Sequence, residues 1–347
     1  MQKTKYYSWN SVKLPKGCQL CVKGEKLVLF ITGLCPRNCF YCPISDQKYK
    51  KDVIYADEWP IKKEKEVIEE AKLIGAKGAG ITGGDPFSVI NRTVKYIKLL
   101  KKTFGKKFHI HIYTSLDLIN DKKLNKLYKA GLDEIRIHPE IYNDKLWNKI
   151  KLIKKYNWDV GVEIPSIPNA KRQTEELINS FKDYIDFLNI NELEFSDNKT
   201  QKLGTFVPKD RFSYGVKGSE EFAKHLLKNY EKEIKNIHYC TAKLKDRVQL
   251  GNRLKRRAKN IATKFDRITK EGTLIRNVIY TKNPKKTKKL LKDLIQGKDL
   301  IEDKDRLIIS RQILNKYKES LKKLKLKLAI IEEYPTYDRM PVEIDFL

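Results

Sequence analysis

Long apolar runs are missing from this sequence: none reaches the about 18 residues that would mark a membrane-spanning helix. The opening residues, Met1-Gln2-Lys3-Thr4-Lys5-Tyr6-Tyr7, lead into no apolar core of the secretory kind. Cysteine is scarce. Six in 347 residues are too few for a disulfide framework in a chain this long. These absences argue against a membrane-embedded protein and a disulfide-built secreted domain, and a cytoplasmic protein is expected. Acidic residues are also short, 44 Asp+Glu against 73 Lys+Arg, giving a formal net charge of +29. The lysine enrichment of heat-adapted proteins normally comes with matching glutamate, so heat adaptation alone does not explain the imbalance. A charge this large attracts polyanions, and nucleic acid is the first to consider.

What is present is a rhythm of strands and helices. The run from Lys26 to Thr32 (KLVLFIT) has strand length and is partly β-branched. Val67, Ala71 and Ile74 mark a helix face that Gly75 stops. Ala79 to Thr82 reads as a strand, 89–103 as a helix, and Phe108 to Tyr113 (FHIHIY) as an alternating strand. A helix over 121–130, a strand from Asp133 to His138 and a helix over 141–156 follow. Trp158 to Ile164, then 171–186, then Phe187 to Phe195 complete six strand–helix alternations. Such alternation predicts parallel strands linked by helices. After residue 196 the rhythm breaks. A loop over 197–218 and a helix over 219–235 lead to strands at 273–280, Leu326–Glu332 and Val342–Phe346, with helices over 284–296 and 304–323. The expected organisation is an arm over 1–26, an α/β domain over 27–239 and a small basic α+β domain over 240–347.

Chemistry concentrates in Cys35-Pro36-Arg37-Asn38-Cys39-Phe40-Tyr41-Cys42, spaced C-x3-C-x2-C directly after the first strand. Zinc sites use paired C-x2-C or Cys/His spacings, which this run does not match. A protein-held 4Fe–4S cluster takes four thiolates, so three leave one iron open to a small molecule. After the second strand comes Gly83-Gly84-Asp85-Pro86. Its glycines permit close backbone approach, and Asp and Pro fix a turn.

Together these motifs resemble the radical S-adenosylmethionine (SAM) superfamily. The likeness covers roughly 27–195, with Asp85 standing where the family's GGEP motif has glutamate. It is similar to the archaeal group related to pyruvate formate-lyase activating enzyme. The resemblance implies a partial (β/α)6 barrel with ligands at the carboxyl ends of the strands. It implies a 4Fe–4S cluster on Cys35, Cys39 and Cys42, and SAM chelated by the open iron. An electron donor such as ferredoxin would drive cleavage to a 5′-deoxyadenosyl radical. Tyr41 is expected near the adenine, and Gly83, Gly84, Asp85 and Pro86 near SAM's amino group. Among residues at later strand ends, Ser115, Arg136 and Glu163 are preferred as further SAM contacts over Thr114, His138 and Glu194. His109 and His111 read as a packed pair.

Three cysteines remain. Cys18 and Cys21 form a C-x2-C pair, and Cys240 lies beside His238 in the sequence. That set has a usual zinc count and would equally suit an auxiliary iron–sulfur cluster or plain core thiols. The segment from Lys243 to Asn260 has an apolar stripe of Leu244, Val248, Leu254 and Ala258. Lys243, Lys245, Arg247, Arg253, Lys255, Arg256, Arg257 and Lys259 would cover its other faces as phosphate contacts. Phe265 and Tyr280 are candidates for stacking on bases. The expected activity is modification of a tRNA nucleoside at an unactivated carbon, for example remodelling of the threonylcarbamoyl group of t6A to its hydroxynorvalyl counterpart. The alternative is an activase that makes a glycyl radical on a partner protein.

Overall fold

The computed structural model describes residues 1–198 and 201–347. Two compact units divide at Leu250/Gly251, not at the expected 239/240.

The first unit is built on seven parallel strands: β1 (Lys26–Phe30), β2 (Gly78–Thr82), β3 (His109–Thr114), β4 (Glu134–Ile137), β5 (Asp159–Ser166), β6 (Phe187–Glu192) and β7 (Ile237–Cys240). Each pairs with the next in sequence, and β1 and β7 do not pair with each other. This is an α/β partial barrel with one parallel strand more than the six expected. The extra strand, IHYC, is too short to stand out in the sequence. Its Tyr239 pairs with Trp9 of the short strand Trp9–Asn10, so residues 1–26 belong to this unit and are no separate arm.

Alternation explains why the strands sit as they do. Successive side chains on a strand face opposite sides. Ile110 and Ile112 on β3, Ile135 and Ile137 on β4, and Val160, Val162 and Ile164 on β5 are fully buried in one apolar core. That core includes Leu124 and Leu127 of α4 (Asp121–Ala130) and Leu177, Ile178 and Phe181 of α6 (Lys171–Phe181). The intervening positions carry His109, His111, Tyr113, Glu134, Arg136, Glu163, Asn189 and Asn191 and face the barrel interior. α1 (Lys16–Cys21) packs against that interior. A side chain on Gly17 would collide with Arg136, His111 and Glu134, its Cβ falling within 2.5 to 2.9 Å of their polar atoms.

Helix ends follow local chemistry. Asn120 caps α4 by accepting from the Lys123 amide, and Gly131 ends it in the left-handed region. Two expected helices are corrected. The helix over 141–156 is reduced to Ile150–Ile153 after one 3-10 turn, because Asn143 and Asp144 begin turns there instead. The helix over 304–323 starts only at Arg311. Arg306–Ile309 is β-branched and pairs in a hairpin turned at Lys304, and Ser310 caps the helix.

The second unit is an antiparallel sheet. It contains β8 (Leu274–Tyr280), β9 (Leu300–Asp303), β10 (Arg306–Ile309), β11 (Lys327–Glu333) and β12 (Pro341–Phe346), with α10 (Arg311–Lys323) contributing to its core. Buried Arg276 and Arg306 both pair with Glu333, a charge cluster in which each ion has a partner. Among the described residues no helix is long and apolar enough to cross a membrane.

Leu127→Ala removes a fully buried side chain and should cost about 2–5 kcal/mol of stability. Asn120→Ala removes only the cap of the same helix and should cost about 1 kcal/mol. Urea unfolding of the full chain measures both. Equal losses would mean that the apolar layer is not what holds α4 on the sheet.

Candidate active site

The cysteine loop follows β1, at the carboxyl end of the sheet. Its backbone lies directly on the turn after β2. Gly84 N–H donates to the Thr32 carbonyl and Asp85 N–H to the Leu34 carbonyl, both at 2.7 Å. Gly83 has φ of 146°, and a Cβ on Gly84 would lie 2.3 Å from the Leu34 oxygen. The glycine pair is therefore needed to seat the cysteine loop, whatever ligand it also meets. Cys35, Cys39 and Cys42 are all partly exposed. An open pocket of about 640 Å³ lies beside the loop, lined by Leu34, Cys35, Pro36, Lys50, Phe87, Ser88, Leu118 and Lys123.

Asp85 is buried and serves the turn. It accepts from Thr114 Oγ1 (2.8 Å), Ser115 Oγ (2.7 Å), and the amides of Phe87 and Ser115. Pro86 follows as the first residue of a short 3-10 turn. Asp85 and Ser115, both expected near SAM, spend their side chains on each other, which leaves the backbone carbonyls of the glycine turn as the groups the resemblance assigns to SAM's amino group. Their hydrogen bonds tie the end of β3 to the glycine turn.

Arg136 and Glu163 are likewise engaged inside the barrel. Arg136, 2% exposed, reaches Glu163 at 2.9 Å, Glu134 at 2.6 Å and the Tyr113 hydroxyl at 3.1 Å. Glu163 also accepts from Asn189 and Asn191. Burial raises the Glu163 carboxyl, but Arg136 and the two amides outweigh it and hold the group below its ordinary value. Both residues expected at SAM thus form a buried ion pair in this structure.

Two residues of the cysteine loop reach across to the segment after β4. Tyr41 lies 2.8 Å from His138 Nε2, and His138 Nδ1 lies 2.7 Å from the Glu163 carbonyl. A carbonyl only accepts, so Nδ1 carries the proton and Nε2 accepts from the Tyr41 hydroxyl. Burial and the nearby Arg37 lower His138 to about 4, which keeps the ring neutral. Arg37 donates to the His138 carbonyl at 2.6 Å and pairs with Glu140. The loop is held from a third side as well, where Asn198 donates to the carbonyls of Cys42 and Ile44. These anchors were not expected from the sequence. The alternation of polar residues in HIHIY, EIRIH and NINE was the available signal for the barrel lining.

The second metal set does not assemble as a single-ion site. Cys18 Sγ receives Arg136 and Asn189, each at 3.4 Å, and Cys18 and Cys240 pack with Leu14, Val22 and Leu244. His238 is fully buried on β7 with no partner at either ring nitrogen. Among the described residues one group brings three ligand atoms within 4.8 Å of one another: His109, His111 and Glu134. Lys26 lies 2.8 Å from His109 Nδ1, and Arg136 binds the same Glu134. A dication there would face two fixed cations across one carboxylate, so the group is a buried charge network.

The basic segment divides. Lys243, Arg247 and Lys259 are exposed, and Arg253, Lys255 and Arg256 are half-buried. Two expected phosphate contacts are corrected. Lys245 pairs with Glu194 at 2.7 Å, and buried Arg257 donates to the Pro335 carbonyl. Phe265 and Tyr280 pack against the apolar cluster of Val278, Ile308, Ala329 and Ile331.

Residues 29–164 match the family described as the Radical SAM superfamily. A Methanocaldococcus jannaschii protein with the provisional name glycyl-radical enzyme activating enzyme is 44% identical to this chain. The alignment covers 98% of this chain and 94% of that protein. The chain belongs to the radical SAM superfamily. Membership implies a 4Fe–4S cluster and SAM. Biotin synthase of Pseudoalteromonas translucida is 34% identical over 35% of each chain. Among solved structures, SuiB of Streptococcus suis aligns with a TM-score of 0.46 at 14% identity, over 62% of this chain and 49% of that one. Methylornithine synthase aligns at 0.43 and 17%, over 60% and 63%. Residues 272–345 match a domain of unknown function, DUF8061.

The residues present fit the implied cluster. Three partly exposed thiols share one anchored loop, and Arg37 Nε is a buried donor with no protein acceptor. Cys35, Cys39 and Cys42 are the residues that would hold it.

Gly84→Ala should lower iron bound per chain after anaerobic reconstitution, because the added Cβ displaces the Leu34 carbonyl. Gly251→Ala, where a Cβ meets nothing within 4 Å, should bind iron as the wild type does. Equal iron in both would detach the glycine turn from the cysteine loop. A pH test addresses the barrel pair. With its folded pKa depressed, Glu163 contributes stability that is full above the ordinary carboxylate range and is lost as pH falls below it, through the depressed folded value. Glu163→Gln should therefore be less stable than the wild type at pH 7, with the gap narrowing only as pH falls below the ordinary glutamate range in urea unfolding. A gap independent of pH would remove the ion pair as its cause.

Proposed function

We propose that this radical SAM enzyme acts on a partner protein, abstracting a hydrogen atom from a glycine to activate a glycyl-radical enzyme. The observation that carries this reading is the extent of the likeness to the M. jannaschii protein. It runs through 98% of the chain, so it includes the basic second unit as well as the barrel. When bound, the cluster and SAM supply one-electron chemistry that takes a hydrogen atom from unactivated carbon, which acid–base groups cannot do. The chain's own residues serve that chemistry by position. Cys35, Cys39 and Cys42 would hold the cluster. Tyr41, Gly83, Gly84 and Pro86 would contribute to the SAM site, and Arg136 and Glu163 would support it from within the barrel. The reducing electron comes from a donor of the ferredoxin type.

One observation favours a second reading, a tRNA nucleoside as substrate. The net charge of +29 is not required to bind a protein, and Lys243, Arg247 and Lys259 are exposed in the basic segment. Remodelling of t6A at the adenosine beside the anticodon is the specific form of that reading.

The test is anaerobic turnover of the reconstituted enzyme with SAM and a low-potential reductant, with either a candidate glycyl-radical protein or bulk tRNA added. The expected result is 5′-deoxyadenosine formation stimulated by the protein, with a glycyl radical signal appearing on it. Stimulation by tRNA, with a nucleoside changing mass and binding that weakens steeply with salt, would replace the first reading by the second. Failure to form 5′-deoxyadenosine under any condition would overturn both.

A further inference from the structure

Arg37 stands between Cys35 and Cys39 in the sequence, and its side chain is 6% exposed. Its two terminal nitrogens are spent on the His138 carbonyl and Glu140. Its Nε is buried and has no protein acceptor. Its own amide donates to Cys35 Sγ at 3.4 Å. Buried guanidinium donors are ordinarily satisfied, because an unmade hydrogen bond away from water is costly. Glu140 is a weak counter-ion here, since its side chain is 44% exposed and its charge is screened by water. A positive charge is thus fixed at the cysteine loop, with one N–H left over.

We propose that Arg37 tunes the electron affinity of the cluster, holding a positive charge beside the cysteine loop and keeping one Nε–H free of protein acceptors. This rests on the placement of the cluster on Cys35, Cys39 and Cys42, and not on the choice between protein and tRNA substrates. Reduction adds one negative charge to the cluster. A fixed cation and a hydrogen bond to sulfur both favour the reduced form, and cluster potentials follow net charge, hydrogen bonding and exposure. The same group also braces the loop through His138 and Glu140, so charge and position must be separated by experiment.

The test is a redox titration of the reconstituted full-length protein, followed by the electron paramagnetic resonance signal of the reduced cluster. Arg37→Gln should disfavour reduction about tenfold, a fall of about 59 mV for one electron. Arg37→Lys keeps the charge but not the planar fork and should fall between. Glu140→Gln leaves Arg37 in place, removes its counter-ion, and should raise the potential. An Arg37→Gln cluster that forms normally and titrates like the wild type overturns the proposal. If Arg37→Gln binds no cluster, Glu140→Gln decides: an unmoved or lowered potential overturns it. A wild-type protein with no 4Fe–4S signal would instead defeat the placement of the cluster.

Discussion

The structure depends on one backbone contact, the seating of the cysteine loop on the glycine turn. Two amides of the second strand's turn, Gly84 and Asp85, hold two carbonyls of the first strand's loop, Thr32 and Leu34. Backbone can approach this closely only where no Cβ intervenes, which is why the pair is Gly83-Gly84. Everything else at the mouth secures this contact. Asp85 fastens the turn to Thr114 and Ser115, while Arg37 and Tyr41 fasten the loop to the segment after β4. A loop of three cysteines is flexible by itself. Anchored on three sides, it becomes a defined site.

The barrel below solves a different problem. Many parallel barrels fill the interior with branched apolar side chains. Here the inner positions are ionic, and α1 packs against them. Charges so deeply buried must be matched. Arg136 meets Glu134 and Glu163, Glu163 meets Asn189 and Asn191, and Lys26 meets His109. Burial and the neighbouring Lys26 lower His109 to about 2, so the ring stays neutral, while Lys26, lowered by burial to about 8, still carries its charge at neutral pH. Such networks add little stability over an apolar core, but breaking one partner leaves another exposed to a low-dielectric interior. His138 links this network to the cysteine loop, bonding the Glu163 carbonyl on one side and Tyr41 on the other.

Much of this was legible in the sequence, and the limits were physical. The cysteine spacing, the glycine turn and the first six strands could be read because local pattern determines them. The short β7 and the hairpin ending at Ile309 were lost because neighbouring strands, not local propensity, decide them. The surroundings of the site residues were hidden in the same way. Ser115 directly follows its strand as expected, but Arg136 and Glu163 lie within theirs, and Ser115 and Arg136 each meet a carboxylate 27 to 30 positions away in the sequence. Lys245 and Arg257 looked like surface cations because a helical pattern does not reveal a distant Glu194 or Pro335 carbonyl.

The substrate is the least legible part, and the reason lies in how the chain divides its tasks. Residues that bind a cofactor must meet a fixed chemical object, so their types and spacing are constrained. A macromolecular partner can be met by many surfaces. Net charge constrains that partner only coarsely. Of the cations in the basic segment, some are spent internally and others face solvent, so +29 overstates the charge a partner would meet. The buried ion cluster of Arg276, Arg306 and Glu333 makes the same point inside the second unit, where arginines serve the core. Charge therefore argues for a polyanion only through the residues that remain exposed, and the radical chemistry of the barrel is compatible with either class of partner.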